Sequence, residues 1–159
     1  MSGISDDIGT GFAFIAGEAE YLNGYLAGLP TVLGNLLPHE AWIATHVCGS
    51  SAEKIYLGLG RVRLLMARRA DGMAVLESEN RHAELLRRMA EPVPGGRGAV
   101  LSARAAGALD RLRPFRHRER NSYTAVLRTP VVIERAEDAW RTFDSFRDEV
   151  RALLRVHPA

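Results

Sequence analysis

The stretch IGTGFAFIAGEAEYLNGYL, residues 8–26, decides the fold class. Its apolar residues Ile8, Phe12, Ile15, Ala19, Leu22 and Leu26 recur at steps of four, three, four, three and four. A period of 3.6 residues gathers these positions into one stripe along a helix, whereas a half-buried strand would alternate. Pro30 and Gly34 punctuate the loop that follows.

The same period continues downstream. A second helix is expected over about residues 39–69, with Pro38 before it and His39-Glu40 at its start, where a carboxylate suits the helix dipole. Ile43, Val47, Ile55, Leu59, Val62 and Met66 are expected on its buried side. CGSS at residues 48–51 is weak helix material and leaves room for a bend; Asp71-Gly72 ends the helix. A third helix covers about residues 74–91, with Leu76, Ala83, Leu86 and Ala90 inward and Arg81, Arg87 and Arg88 outward. PVPGGRG, residues 92–98, is a loop. Ser102 opens a fourth helix carrying Leu109, Leu112 and Phe115. The last begins near Glu134 and carries Trp140, Phe143, Phe146, Val150 and Leu153. Its aromatics read as core or dimer contacts rather than a base-stacking platform. Val131-Val132-Ile133 after Pro130 reads as a short extended piece, too little for a sheet. The expected fold is all-α, an up-and-down bundle of four to five helices in one domain over residues 1–159.

Composition supports a folded protein and removes several function classes. At 159 residues the chain can bury a real core but not two enzymatic domains. Hydrophobic residues are 47% and charged residues 25%, which is globular rather than disordered. No apolar run approaches the roughly 20 residues of a membrane span. The start MSGISDDIGTG has two Asp and no Lys or Arg, unlike a secretory signal. The single cysteine, Cys48, excludes an internal disulfide and a Cys-based zinc site, so a reducing, cytoplasmic setting is expected.

Net charge is +2, but 20 of the 21 basic residues are Arg, the exception being Lys54. Residues 111–128 hold six Arg, His117 and one carboxylate, Glu119. That segment is basic and the remainder of the chain net acidic, a pattern of a local anion site rather than general adhesion to nucleic acid.

Within it, LDRLRPFRHRERNSY (residues 109–123) is the informative stretch. Pro114 either kinks a long helix or occupies the first turn of a new one. In both cases Arg113, Arg116, His117, Arg120 and Tyr123 share one helical face, with Asn121 at its edge. Neighbouring guanidinium groups repel unless an anion lies over them, and their forks match phosphate oxygens. An imidazole moves protons near neutral pH. These are parts for metal-free RNA cleavage: the 2′-hydroxyl attacks the adjacent phosphate, and Arg stabilises the phosphorane. The plain alternative is a solvated or salt-bridged face.

The run RHAELLRRMAE (residues 81–91), the loop PVPGGRG, VLS (residues 100–102) and LDRLRPFRHRERNSY together resemble the HepT-like branch of the HEPN superfamily, over about half of the chain. The resemblance implies a helical bundle forming two-fold dimers, a ribonuclease toxin without a metal or other cofactor, and a nucleotidyltransferase antitoxin that adenylylates a tyrosine of the motif. Arg116 falls on the family's Arg, His117 on the polar residue after it, and Tyr123 on the Tyr. The family's His falls on Asn121, which hydrogen-bonds phosphate or ribose but is no base. A second register, Arg111 to His117, keeps the Arg–His spacing and loses the Tyr. The implied site is Arg116, His117 and Asn121 for catalysis, with Arg113, Arg120 and Tyr123 binding RNA and Tyr123 the modification candidate. The alternative is an inactive HEPN module that binds RNA or a protein partner.

Other candidates read as structural. Gly58-Leu59-Gly60 mimics a piece of a dinucleotide loop, but no strand precedes it. Cys48 with His46 reads as a buried thiol rather than a metal pair. His82, Glu53 and Lys54 read as ordinary polar surface.

Overall fold

The structure, a computed structural model, describes residues 2–71, 81–92, 94, 98–99, 101–111 and 128–156. The described elements are helical throughout, with no strand among them: α1 (Ser2–Ala27), a single 3₁₀ turn (Leu33–Asn35), α2 (Pro38–Asp71), α3 (Arg81–Ala90), α4 (residues 103–111) and α5 (Thr129–Val156). Helices α1, α2 and α5 pack against one another pairwise, and α3 packs on α2. The fold is an all-α helical bundle, as the periodicity predicts.

The α1 stripe is buried as expected. Ile8, Ile15, Ala19 and Leu22 are in the core, and Phe12 and Leu26 pack on its edge. Phe12 meets Phe143 and Phe146 of α5 with ring centroids 5.6 and 5.9 Å apart. The α5 aromatics are therefore core, and each fully buried side chain of that size contributes about 1.5–3 kcal/mol. At the α1–α2 crossing Gly58 has no room for a side chain, because a Cβ there would lie 2.5 Å from Ile15 Cγ1. Gly58 thus sits inside α2 as a close-approach residue and not in a nucleotide loop.

Three expectations need correction. First, α2 is one continuous helix through residues 48–51, because Ser51 and Cys48 are packed rather than solvated. Ser51 donates its hydroxyl to Glu18 Oε1 at 2.7 Å, which satisfies the one polar group of that stretch in the core. Second, Ile43 is 43% exposed, and the inward face of the first half of α2 is Ala44, Cys48, Ser51 and Ala52. Small residues let α1 and α5 approach closely, so the face of greatest bulk is not the buried one. Third, residues 131–133 are helical, and α5 starts at Thr129 rather than near Glu134. Pro130 fits the first turn, where its missing N–H has no partner to lose. The Arg128 carbonyl accepts the N–H groups of Val131 and Val132. Val132 and Ile133 then enter the core.

Helix starts carry the expected chemistry. Glu40 reaches back to accept the Leu37 N–H at 2.8 Å, half of a capping box ahead of α2. Ser102 Oγ accepts the Ala105 N–H at 3.1 Å, and Glu149 of α5 accepts the Ser102 N–H at 3.0 Å. The second bond ties the start of α4 to α5. Ala105 and Leu109 bury the inner face of α4, and Leu101 just before it is buried too, its N–H donating to the Met89 carbonyl. On α3, Leu86 is buried and Arg87 and Arg88 face outward, as expected, but the core side is completed by Leu85 and Met89, while Ala90, expected inward, is only half-buried. Residues 72–80, which include Leu76, lie outside the described residues.

Candidate functional site

Arg113, Arg116, His117, Arg120, Asn121 and Tyr123 all lie between residues 112 and 127, outside the described residues. What the structure defines is the frame that holds both ends of that segment. At the upstream end, Leu109 is fully buried and fixes the rotation of α4. Arg111, two residues on, is exposed. Its guanidinium lies along the Gly107 side of the helix, 3.8 Å from where a Cβ of that glycine would stand.

At the downstream end α5 is pinned to α2. Thr45 Oγ1 and Thr129 Oγ1 are 2.7 Å apart, joining residues 84 apart in sequence. The Thr45 hydroxyl donates to the Ala41 carbonyl at 2.8 Å, and Thr129 Oγ1 lies 3.4 Å from the same oxygen. The Thr129 hydrogen is thus shared between the Thr45 hydroxyl and that carbonyl. Arg128, the last residue before this knot, is exposed. The Arg-rich segment therefore leaves one helix anchored in the core and rejoins the bundle at a second fixed point.

The two described ends share an electrostatic property. Neither Arg111 nor Arg128 makes an ion pair with any described residue. Arg61, Arg104 and Arg141 share that condition among the described residues, whereas four other arginines are matched. Arg87 bonds Glu84 at 2.8 Å and Glu91 at 2.7 Å, Arg88 bonds Glu84 at 2.7 Å, Arg135 meets Asp138 at 3.4 Å, and Arg147 meets Asp144 at 2.7 Å. The hydrogen bonds from Arg87 and then Arg88 hold the Glu84 carboxyl down to about 2.

Beside the downstream knot lies a feature that no sequence motif singles out. Trp42 and His46 follow Ala41 and Thr45 by one residue each and are both exposed on α2. Their ring centroids are 4.0 Å apart at 32°. His46 Nδ1 donates to the Trp42 carbonyl at 2.8 Å, which fixes the imidazole against the indole. The i, i+4 spacing of the two rings was the available signal.

His46 is thus engaged away from Cys48, and Cys48 is a buried thiol that burial pushes up to about 11. No cluster of three or more potential metal ligands occurs among the described residues. No described helix is long and apolar enough to cross a membrane. Lys54 lies 3.7 Å from Glu18, a partly exposed pair beside Ser51.

An all-helical bundle of this kind is consistent with a HEPN-like fold. The model of the family described as HepT-like protein matches residues 49–157, more than half of the chain, and the chain belongs to the HepT-like family of the HEPN superfamily. The matched region spans the whole of residues 109–123 and begins within α2. No curated protein and no solved structure matches the chain.

Proposed function

We propose that the protein is a metal-independent RNA endonuclease, the toxin of a toxin–antitoxin pair that a nucleotidyltransferase antitoxin neutralises. The observation that carries this reading is the family match across the entire Arg116–Tyr123 motif. The absence of an ion pair at Arg111 and Arg128 among the described residues, at the two ends of the segment, supports it.

In this reading Arg116 and Arg120 hold the scissile phosphate, with Arg113 adding charge. His117 takes the proton from the ribose 2′-hydroxyl, whose oxygen attacks the adjacent phosphorus. The bond to the 5′-oxygen breaks, and that oxygen takes up a proton, leaving a 2′,3′-cyclic phosphate and a 5′-hydroxyl. Asn121 orients the phosphate or ribose in the place where the family has its His. Tyr123 contacts RNA or accepts AMP from the antitoxin. One motif offers one imidazole while base and acid are two roles, so a homodimer that apposes two motifs supplies the second group. The acting unit is then two copies of one HEPN-like domain of residues 1–159, working in the cytoplasm.

The test is incubation of purified protein with labelled RNA, with and without chelator, beside an R116A/H117A variant. Cleavage by wild type that resists chelator and disappears in the variant is the expected result. Cleavage that persists in the variant sinks the site assignment. The second reading, an inactive module that binds RNA or a protein partner, is favoured by Asn121 standing where the family has His; it predicts RNA retention without cleavage. The modification step predicts added mass on Tyr123 after coexpression with an adjacent nucleotidyltransferase, absent in Y123F.

A further inference from the structure

We infer that Trp42 and His46 form a base-stacking shelf that takes an unpaired base of the same single-stranded RNA, an inference that rests on the nuclease reading. Four observations converge on this. Trp42 is 62% exposed, although an indole is among the side chains that gain most from cover. It is not a loose side chain on a smooth helix, because the His46 ring lies against it and is itself held by its bond to the Trp42 carbonyl. The pair is therefore preorganised, and a base stacking on it orders few further rotamers. Third, the shelf adjoins the junction at which the Arg-rich segment rejoins the bundle. Ala41 and Thr45, next to the two rings in sequence, are the α2 residues that grip Thr129.

The fourth observation is charge. Arg128 precedes Thr129, is exposed, and has no ion-pair partner among the described residues. The nearest carboxylate along α2, Glu40, accepts the Leu37 N–H. An exposed aromatic pair joined through the Thr45–Thr129 contact to the helix end that follows an exposed guanidinium, itself without an ion pair among the described residues, supplies the two elements that bind single strands, a ring for a base and a cation for a phosphate. Four residues lie between Tyr123 and Arg128, and a fully extended chain of that length spans at most about 18 Å from one Cα to the other. A strand bound to the motif thus reaches the shelf within a few nucleotides.

The chain has two tryptophans, so W140F leaves Trp42 as the reporter. That protein is titrated at low salt with a short single-stranded oligoribonucleotide blocked against cleavage by 2′-O-methylation and labelled for anisotropy. Quenching of Trp42 fluorescence that tracks the anisotropy curve is the expected result. In the otherwise wild-type chain, W42A should weaken binding of this RNA about 10-fold, W42F should recover most of that loss, and inorganic polyphosphate should bind W42A and wild type alike. Trp42 is exposed, and an unchanged far-UV dichroism spectrum confirms that W42A is folded. RNA that binds without quenching Trp42 and binds W42A as tightly as wild type overturns the shelf and leaves the nuclease reading standing. Wild-type protein that binds no RNA overturns both. Unchanged RNA affinity with an altered sedimentation coefficient for W42A overturns the shelf and assigns the surface to a second copy of the chain.

Discussion

Four arginines of α3 and α5, Arg87, Arg88, Arg135 and Arg147, and the two arginines at the ends of residues 111–128 sit in opposite electrostatic situations. On α3, Arg87 and Arg88 converge on Glu84, and Arg87 also takes Glu91. On α5, Arg135 and Arg147 each have an aspartate one turn away. These are i, i+3 and i, i+4 pairs that the helix itself supplies, and being exposed or only partly buried they contribute little to stability. Arg111 and Arg128 have no such partner among the described residues. From Arg111 to Arg128 inclusive the sequence offers a single Glu for six Arg. Arginine number alone therefore says little in a chain with this composition. The informative quantity is the ratio of guanidinium to carboxylate within reach, and that ratio points to the segment where an external anion completes the pairing.

The contrast can be broken most severely at its centre. Replacing Arg116 and His117 by Ala should lower RNA cleavage about 1,000-fold or more, since a proton-transfer group and an electrostatic clamp are removed together. The thermal midpoint should stay near that of wild type. A collapse of the midpoint instead would make these residues structural. Next in size, R111A/R128A should reduce the slope of log affinity for single-stranded RNA against log salt by about 1.4, or about 0.7 for each phosphate no longer neutralised. R87A, which removes a paired arginine, should leave the slope unchanged. Equal effects from both variants would erase the distinction.

The anchoring of the segment is a smaller effect. T129V removes one hydroxyl from the Ala41–Thr45–Thr129 knot while Thr45 keeps its bond to the Ala41 carbonyl. A loss of about 0.5–1.5 kcal/mol is expected in urea denaturation. Cleavage that falls while stability is unchanged would give the knot a direct part in catalysis. The smallest effect concerns the paired region. Glu84 is held down to about 2 in the folded protein, below its ordinary value near 4.5, so its contribution is present above about pH 4.5 and is lost as pH falls toward 2. The midpoint difference between wild type and E84Q should be small at pH 6 and shrink between pH 4.5 and 2. A difference that grows on acidification would contradict the assignment.

The bundle was legible wherever apolar bulk and period agree. The Ile8–Leu26 stripe is such a case, and so is the Phe143–Phe146 part of α5. Legibility failed where packing prefers small residues: Ala44, Cys48 and Ala52 carry too weak a hydrophobic signal to outvote Ile43 and Val47, yet they face the core side of α2. It failed again at Val131-Val132-Ile133, whose β-branched character suggests an extended piece. There the Thr129 anchor and Pro130 in a first turn overrule local preference, and only tertiary packing reveals them. For the candidate site, residue types and spacing were legible because Arg, His, Asn and Tyr stand close together in sequence. The Trp42–His46 pair was not, because its relation to the segment exists only through a hydrogen bond between residues 84 apart.

The most direct measurement of the central claim is the affinity of a cleavage-blocked single-stranded RNA for wild type and for an R113A/R116A/R120A variant at several salt concentrations. Loss of about two units of salt slope, with a fall in affinity of about 100-fold or more at low salt, is the predicted outcome if these three guanidinium groups receive the phosphodiester backbone. A variant that is folded and binds with wild-type affinity and slope would contradict it.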